Sequence, residues 1–295
     1  MDNIGYYPGC SLLGTAKEYE QSIRHVFSKL GINLIEVDDW SCCGATSAHA
    51  TNHLLSVALP MRNIILAKKQ GLKSLFIPCA ACYNRFVVAR YEIENRPELR
   101  KKIEDVLEEK IETDIEILNM IEMFQRIDRE LFLSKRQRDL KGLKVAAYYG
   151  CLLVRPNGVT GFDDPEMPSA MEDVVRLTGA ETVDWNFKVE CCGASHSITN
   201  MTVVTTLSKR IIDDAVENGA EAIIVACPMC HSNLDMRQRN IAKMDSQHKS
   251  IPIFYLSELV GFSMGIDKED LGLSLHFIDT ESVLARFSTA IVAKE

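Results

Sequence analysis

Residues 42–49 read Cys-Cys-Gly-Ala-Thr-Ser-Ala-His, and residues 191–196 read Cys-Cys-Gly-Ala-Ser-His. A lone cysteine precedes each pair by 31 or 39 residues, and a Cys-x-x-Cys motif follows each pair after 35 or 34 residues. All ten cysteines belong to these two sets, which are Cys10, Cys42, Cys43, Cys79 and Cys82 in the first and Cys151, Cys191, Cys192, Cys227 and Cys230 in the second. The chain is therefore an internal duplication built around sulfur ligands.

The similarity of the two copies extends beyond the cysteines. Residues 6–10, Tyr-Tyr-Pro-Gly-Cys, match residues 148–151, Tyr-Tyr-Gly-Cys. Residues 77–82, Ile-Pro-Cys-Ala-Ala-Cys, match residues 225–230, Val-Ala-Cys-Pro-Met-Cys. We expect each copy to carry one site of the same chemistry.

The composition of the 295 residues, 46% hydrophobic and 25% charged, is ordinary for a globular protein. A net charge of −8 gives no basic surface for phosphates, so we expect no nucleic-acid partner. The sequence shows neither a signal peptide nor an apolar run long enough to span a bilayer, which predicts a cytoplasmic protein without direct membrane insertion. In a reducing compartment, ten cysteines indicate metal or redox chemistry rather than disulfides.

The hydrophobic pattern predicts an α/β fold of two pseudo-symmetric repeats, each with a mostly parallel sheet flanked by helices. Predicted strands end at cysteine motifs, and each copy closes with a strand and a helix, at 115–124 and 253–262. We predict domains over 1–140 and 141–265, a helix over about 120–140 that joins them, and an extension over 266–295. An amphipathic helix from residue 97 is expected to pack on its own domain, with a docking surface for a partner as the alternative.

Thiolates suit zinc, cuprous copper and iron–sulfur clusters. A structural zinc takes four ligands, whereas each set offers five, and two adjacent cysteines can reach two different irons of one cluster. Zinc at one site stays a lesser alternative. Glycine after each pair allows a sharp turn and backbone N–H groups aimed at the site; the alternative is a simple loop turn.

The sequence contains neither a Gly-x-Gly-x-x-Gly dinucleotide motif nor the cysteine run of a ferredoxin module. If the protein performs redox chemistry, its electrons are therefore expected from a partner protein that carries clusters or flavin.

The doubled five-cysteine pattern resembles the cysteine-rich CCG domain, and a chain of two such domains is similar to the HdrB-like family, the B-type subunits of heterodisulfide reductases; the resemblance covers about residues 3–262. It implies two non-cubane [4Fe-4S] clusters, each held by one set of five cysteines, and a small-molecule disulfide reduced between them by one-electron steps. It further implies electrons from an iron–sulfur subunit of the C type and a flavin-containing subunit of the A type. In the methanogen branch the substrate is the coenzyme M–coenzyme B heterodisulfide; nothing in the sequence ties this chain to that branch.

Several other side chains near the motifs are candidates for the site. His231, His196 and His49 follow cysteine ligands and could bond a cluster or protonate a thiolate, or could simply bond backbone and solvent at helix starts. Arg155, Lys188 and Arg85 could bind an anionic disulfide, or could be surface charges. The paired tyrosines before the lone cysteines are expected to pack in the core.

Two other functions compete with a catalytic disulfide reductase subunit. The two clusters could relay electrons to another subunit or a quinone without a disulfide substrate of their own, or the cysteines could hold zinc as a structural scaffold. Binding of a disulfide between the clusters separates the first from catalysis, and metal analysis separates the second.

Overall fold

The computed structural model of the chain describes residues 3–45 and 48–288. Four strands form a first sheet, β1 (Ile4–Tyr6), β2 (Leu34–Glu36), β3 (Ser74–Phe76) and β4 (Glu116–Leu118). Four more form a second sheet, β5 (Lys144–Tyr148), β6 (Glu181–Thr182), β7 (Ala222–Val225) and β8 (Ile253–Tyr255). The spatial orders are β2-β1-β3-β4 and β6-β5-β7-β8, and all paired strands are parallel. The identical order confirms the predicted α/β duplication.

Helices flank both sheets. The first copy contains α1 (Gly9–Gly14), α2 (Lys17–Lys29), α3 (Ala48–Thr51), α4 (His53–Lys69), α5 (Ala80–Asn95), α6 (Pro97–Leu107), α7 (Met120–Gln125) and α8 (Arg129–Lys135). The second contains α9 (Ala170–Leu177), α10 (Met201–Glu217), α11 (Pro228–Met236), α12 (Gln238–Met244), α13 (Leu256–Ser263) and α14 (Glu281–Leu284), with short 3-10 turns at Ala194–His196, Leu273–Leu275 and Ala285–Phe287.

The strands place the cysteines on one edge of each sheet. In the second copy Ile223, Ile224 and Val225 of β7 are fully buried, as expected of a parallel strand covered on both faces. Cys151 follows the carboxyl end of β5, and Cys227 follows that of β7. Because β5 and β7 are parallel neighbours, their carboxyl ends lie side by side, and the same holds for β1 and β3 in the first copy.

The two copies share a core through α2 and α13. The rings of Tyr19 and Tyr255 stack with centroids 3.9 Å apart, and the hydroxyl oxygens of Ser22 and Ser257 lie 2.7 Å apart. A Cβ at Gly261 would lie 2.9 Å from Val26 Cγ2, so the close approach of these helices depends on glycine. The relative position of the two cysteine sets is therefore fixed by packing.

The amphipathic helix α6 packs on its own copy, as predicted. Ile103 is fully buried, and Leu99 and Leu107 are partly buried against the same core. Val106, at the edge of the stripe, is exposed. The apolar stripe of α6 is thus used within the chain.

The single connecting helix predicted over about 120–140 is wrong. Helix α7 ends at Gln125 and α8 starts at Arg129, because the Asp128 carboxylate accepts a hydrogen bond from the backbone N–H of Leu131 at 3.0 Å and so caps a new helix. An aspartate in the middle of a helical pattern offers the backbone this alternative.

The segment after α13 contacts both copies. Asp235 of α11 accepts hydrogen bonds from the backbone N–H groups of Phe277 and Ile278 at 2.7 and 3.0 Å, and Gln21 of α2 donates to the Glu269 carbonyl at 2.7 Å. The end of the predicted extension, residues 289–295, lies outside the described residues. Among the helices that the structure describes, none combines the length and the apolar character that a bilayer crossing requires.

Candidate functional site

The cysteines form two sets of free thiols. Cys43 Sγ lies 3.0 Å from Cys82 Sγ, and Cys192 Sγ lies 3.6 Å from Cys230 Sγ, both well beyond the disulfide bond length of about 2.05 Å. The second cysteine of each pair and the Cys-x-x-Cys motifs are buried, whereas Cys10, Cys42 and Cys191 are exposed and Cys151 is half-buried. Each set therefore has a buried side and an open side.

Glycines allow the backbone to approach the sulfurs. Gly9 and Gly150 have φ values of +67° and +66°, and an added Cβ would lie 3.2 Å from Cys82 Sγ and 3.1 Å from Cys230 Sγ. The backbone N–H groups of Gly44 and Gly193 donate to Cys42 Sγ and Cys191 Sγ, each at 3.3 Å. These glycines are more than loop turns, because they direct N–H donors at sulfur in both copies.

Equivalent tyrosines brace the two cysteine pairs. The Tyr7 hydroxyl donates to the Ser41 carbonyl at 2.8 Å, and the Tyr148 hydroxyl donates to the Glu190 carbonyl at 2.6 Å. Each carbonyl belongs to the residue before a Cys-Cys pair. Burial, followed by the neighbouring thiols, raises the pKa of both phenols. Both tyrosines lie in the core, as predicted, and they also hold the loops that carry the pairs.

The two sets approach one another where the two copies pack together. Cys79 and Cys227, the first cysteines of the two Cys-x-x-Cys motifs, are buried side by side, and each shifts the pKa of the other thiol. Beside them lies a cavity of about 140 Å³ lined by both copies, namely by Ala45, His49, Ala80, Ala81, Arg85, Tyr149, Cys151, Leu152, Cys191, Cys192, Ala194, Ser195, Cys227, Met229 and Cys230. Larger surface depressions, such as one of about 620 Å³ beside Lys73, are lined by no cysteine among the described residues.

Four of the candidate side chains divide into two that line the cavity and two that do not. Arg85 and His49 line the cavity. His196 is exposed on the neighbouring 3-10 turn and is not among the lining residues. Arg155 is also outside the lining, and its guanidinium donates to Glu166 at 3.1 Å. Arg85 and His49, both from the first copy, therefore bring a guanidinium and an imidazole to the cavity.

Lys188 neither lines the cavity nor lies on the surface, which are the two positions predicted for it. Its Nζ lies 2.6 Å from Glu172 Oε1, and the side chains are 11% and 3% exposed. Glu172 also accepts a hydrogen bond from the hydroxyl of Tyr149, which lines the cavity. Lys188 is thus part of a buried ion pair behind the cavity wall.

His231 likewise lies behind the site. Its Nε2 bonds to the Ile253 carbonyl at 3.0 Å, and its ring stacks on Tyr255 with centroids 4.2 Å apart. Burial lowers the pKa of His231 well below the ordinary value for imidazole. Although it follows Cys230 directly in sequence, His231 is not among the residues that line the cavity.

Two asparagines contribute to the site without having been predicted. Asn84 is fully buried and donates to the carbonyls of Leu152 and Arg155 at 2.9 and 2.6 Å, so it joins α5 to the loop after Cys151. Asn233 donates to Cys192 Sγ at 3.5 Å. Its equivalent in the first copy is Arg85, since each lies three residues after the last cysteine of its set. Aligning the copies beyond the cysteines pairs Asn233 with the candidate Arg85, and this is the sequence signal that points to Asn233.

The donor set fits soft metal chemistry. Contacts within each thiol pair lower the pKa of one partner and raise that of the other: Cys43 is lowered and Cys42 raised, and Cys191 is lowered to about 6 and Cys151 raised. One cysteine of each of these pairs therefore favours the thiolate form. Thiolate is the form that binds metal. Groups of five sulfurs with N–H donors at their open side suit iron–sulfur ligation better than hard cations.

Known proteins are similar to this chain in sequence. The family model for the cysteine-rich domain called CCG matches residues 4–87 and 145–235. The chain is 30% identical to the 8-methylmenaquinol:fumarate reductase membrane anchor subunit of Wolinella succinogenes, covering 94% of this chain and 97% of that protein. It is 26% identical to the B-type subunit of the ferredoxin:CoB-CoM heterodisulfide reductase of Methanosarcina mazei, covering 97% of both.

A solved structure supports the fold alone. The crystal structure of a hypothetical protein from Helicobacter pylori superposes with a TM-score of 0.76 at 14% identity, over 95% of this chain. The chain spans about half, 52%, of that structure.

The two matches to the family model each cover one set of five cysteines. The chain therefore belongs to the cysteine-rich CCG domain family and contains two copies of the domain.

Proposed function

We propose that this chain is the catalytic subunit of a heterodisulfide reductase-type complex and that it reduces a small disulfide to two thiols. The observation that carries the proposal is a cavity lined by all five cysteines of the second set on one side and by first-copy residues, among them His49 and Arg85, on the other. A disulfide is a nearly symmetric bond, and a duplicated site presents equivalent chemistry to its two sulfurs. The relatives named as B-type or B-like subunits of heterodisulfide reductases, at 25–26% identity, support the reaction class.

The cofactors proposed are two non-cubane [4Fe-4S] clusters, one per set of five cysteines. Gly9 and Gly150 fit this role, because each leaves space beside a sulfur that a Cβ would fill. When bound, such clusters supply single electrons. The overall reaction takes one disulfide, two electrons and two protons to two thiols. The electrons are proposed to come from an iron–sulfur subunit and, through it, a flavin-containing subunit.

The residues of the chain would position the substrate. Leu152 and Met229 offer apolar contacts, and Arg85 with His49 would pair with an anionic group beside the disulfide. Tyr149 is held by Glu172 and so forms a fixed part of the wall. The cavity of about 140 Å³ is lined by all five cysteines of the second set, so a cluster held by them would occupy part of it. Only the reacting end of a substrate would then enter, and the rest of the molecule would stay outside.

A second candidate function is electron relay without a disulfide substrate. The relative at 30% identity is named as a subunit of a methylmenaquinol:fumarate reductase, a protein whose name includes no disulfide. The same two thiol sets would then hold clusters that pass electrons between partner proteins.

Metal analysis with a thiol titration tests these functions together. We expect anaerobically purified protein to contain about eight irons and eight acid-labile sulfides per chain, as two four-iron clusters require. Adding a small thiol under mild oxidation should produce a new paramagnetic signal if substrate sulfur reaches a cluster. Full iron content with no thiol response would favour the relay, and zinc in place of iron would contradict both.

The role of Arg85 gives a prediction specific to catalysis. Replacing Arg85 with glutamine should raise KM for a carboxylate-bearing disulfide about tenfold, roughly 1.4 kcal/mol, while a neutral disulfide of similar size changes little. Steady-state assays with an artificial electron donor measure both values. Arg155→Gln is the matched control, since its guanidinium faces Glu166 instead of the cavity. Equal KM effects for both disulfides would remove Arg85 from substrate binding.

A further inference from the structure

A three-residue group lies behind the second cysteine set, outside the cavity. His231 and Asp235 stand one turn apart on α11, and His276 comes from the segment after α13. One potential ligand atom from each lies within 4.8 Å of the other two. His231 and Asp235 are 4% and 1% exposed, and the His276 side chain is 1% exposed. The group is therefore buried and brings together two distant segments of the chain.

The hydrogen bonds around this group leave nitrogen atoms available. His276 Nε2 lies 3.0 Å from Glu258 Oε1, and His276 Nδ1 is buried without a hydrogen-bond partner. His231 Nε2 bonds to the Ile253 carbonyl, which leaves its Nδ1 as the nitrogen for a ligand. Buried polar atoms are almost always paired, so an orphaned imidazole nitrogen beside a second imidazole indicates a missing partner.

The surroundings match the outer contacts of known metal sites. A metal-binding histidine usually donates its other N–H to a carboxylate or a backbone carbonyl, and Glu258 and Ile253 provide one of each. Ligating carboxylates are themselves hydrogen-bonded, as Asp235 is by Phe277 and Ile278 N–H. A carboxylate has lone pairs left for a metal after two such bonds.

We propose that His231, Asp235 and His276 bind one divalent zinc-class ion, separate from the cysteine sites. Two imidazoles and one carboxylate are a donor set that zinc accepts, with a water or another group in the fourth position. Zinc also binds nitrogen and oxygen ligands more tightly than ferrous iron does. The ion would clamp the segment around residue 276 to α11, the helix that carries Cys230, so its role would be structural support of the second cysteine set.

Zinc-edge X-ray absorption on the full-length, anaerobically purified chain tests the proposal. After incubation with zinc chloride and desalting, we expect one zinc per chain with only nitrogen and oxygen neighbours at about 2.0–2.1 Å. Sulfur neighbours at about 2.3 Å would place the zinc at the cysteines instead and overturn the proposal. Failure to retain zinc would also overturn it. Iron and acid-labile sulfide are measured on the same sample, because a cysteine set without a cluster would itself bind zinc. Zinc with nitrogen and oxygen neighbours is then scored separately from cluster content, so this test and that of the proposed function fail separately.

Two variants assign the ligands. His276→Ala should lose the zinc while keeping its iron and acid-labile sulfide; retention of one zinc with unchanged neighbours would contradict the assignment. The matched control is His248→Ala, because both His248 ring nitrogens are also buried without hydrogen bonds, beside Asp213 at 3.7 Å. Among the described residues, His248 belongs to no comparable three-ligand group. If His276→Ala does not fold, Asp235→Asn and the absorption spectrum of the unmodified protein decide the matter.

Discussion

Replacing Cys43 with serine should remove the metal centre of the first cysteine set and leave that of the second set intact. Replacing Cys192 with serine should do the reverse. Both residues are nearly buried, at 2% and 3% exposed, and each has a sulfur of the Cys-x-x-Cys motif within 3.6 Å or less. Serine keeps the size of the side chain, but its hydroxyl is a poor substitute for a soft thiolate toward iron. Iron and acid-labile sulfide should therefore fall by about half in each single variant, since each set is expected to hold one four-iron cluster.

A variant with both substitutions and a control variant test this prediction further. Cys43→Ser combined with Cys192→Ser should leave little iron, because both sets are then damaged. Ala67→Ser is the matched control, since it adds a hydroxyl at a fully buried position on α4 without touching a cysteine. Absorption and paramagnetic resonance spectra should change in the cysteine variants alone. Single variants with complete iron content and unaltered spectra would show that the second cysteine of each pair is no ligand.

The positions of the cysteines could be predicted because they depend on short-range patterns. Runs such as Ala222–Val225 are too apolar for an exposed strand, and a motif directly after such a strand must lie at the edge of a parallel sheet. The duplication supports this prediction, because the same motifs occur in both copies. The break at Asp128 could not be predicted as readily, because a capping side chain competes with an otherwise continuous helical pattern.

The environments of individual polar residues could not be predicted in the same way. Lys188 is three residues before Cys191, and its sequence neighbourhood does not show that Glu172 lies 2.6 Å from its Nζ. Asn84 bonds to carbonyls 68 and 71 residues away in sequence. His276 lies in a segment without a counterpart in the first copy, so the duplication gave no guide to it. Such contacts follow from tertiary packing between distant segments.

Replacing Lys188 with methionine should be strongly destabilising. The change leaves the Glu172 carboxylate buried at 3% exposure without its cation, and breaking a buried pair in this way costs about 3–5 kcal/mol. Denaturant titration of the unfolding free energy measures the loss. Lys209→Met is the matched control, because the ion pairs of Lys209 with Asp213 and Asp245 lie at the surface, where water screens them, and their loss should change the unfolding free energy far less.

A second substitution separates the buried charge from the other contacts of Lys188. Glu172→Gln together with Lys188→Met removes both charges and keeps an acceptor for the Tyr149 hydroxyl, so most of the stability should return. The Lys188 carbonyl accepts hydrogen bonds from the N–H groups of Tyr149 and Gly150 at 2.9 and 3.1 Å, and Gly150 lies against Cys230. The single variant should therefore lose iron from the second cysteine set first. A double variant as unstable as Lys188→Met would show that packing of the lysine stem, rather than the unpaired carboxylate, is the cause.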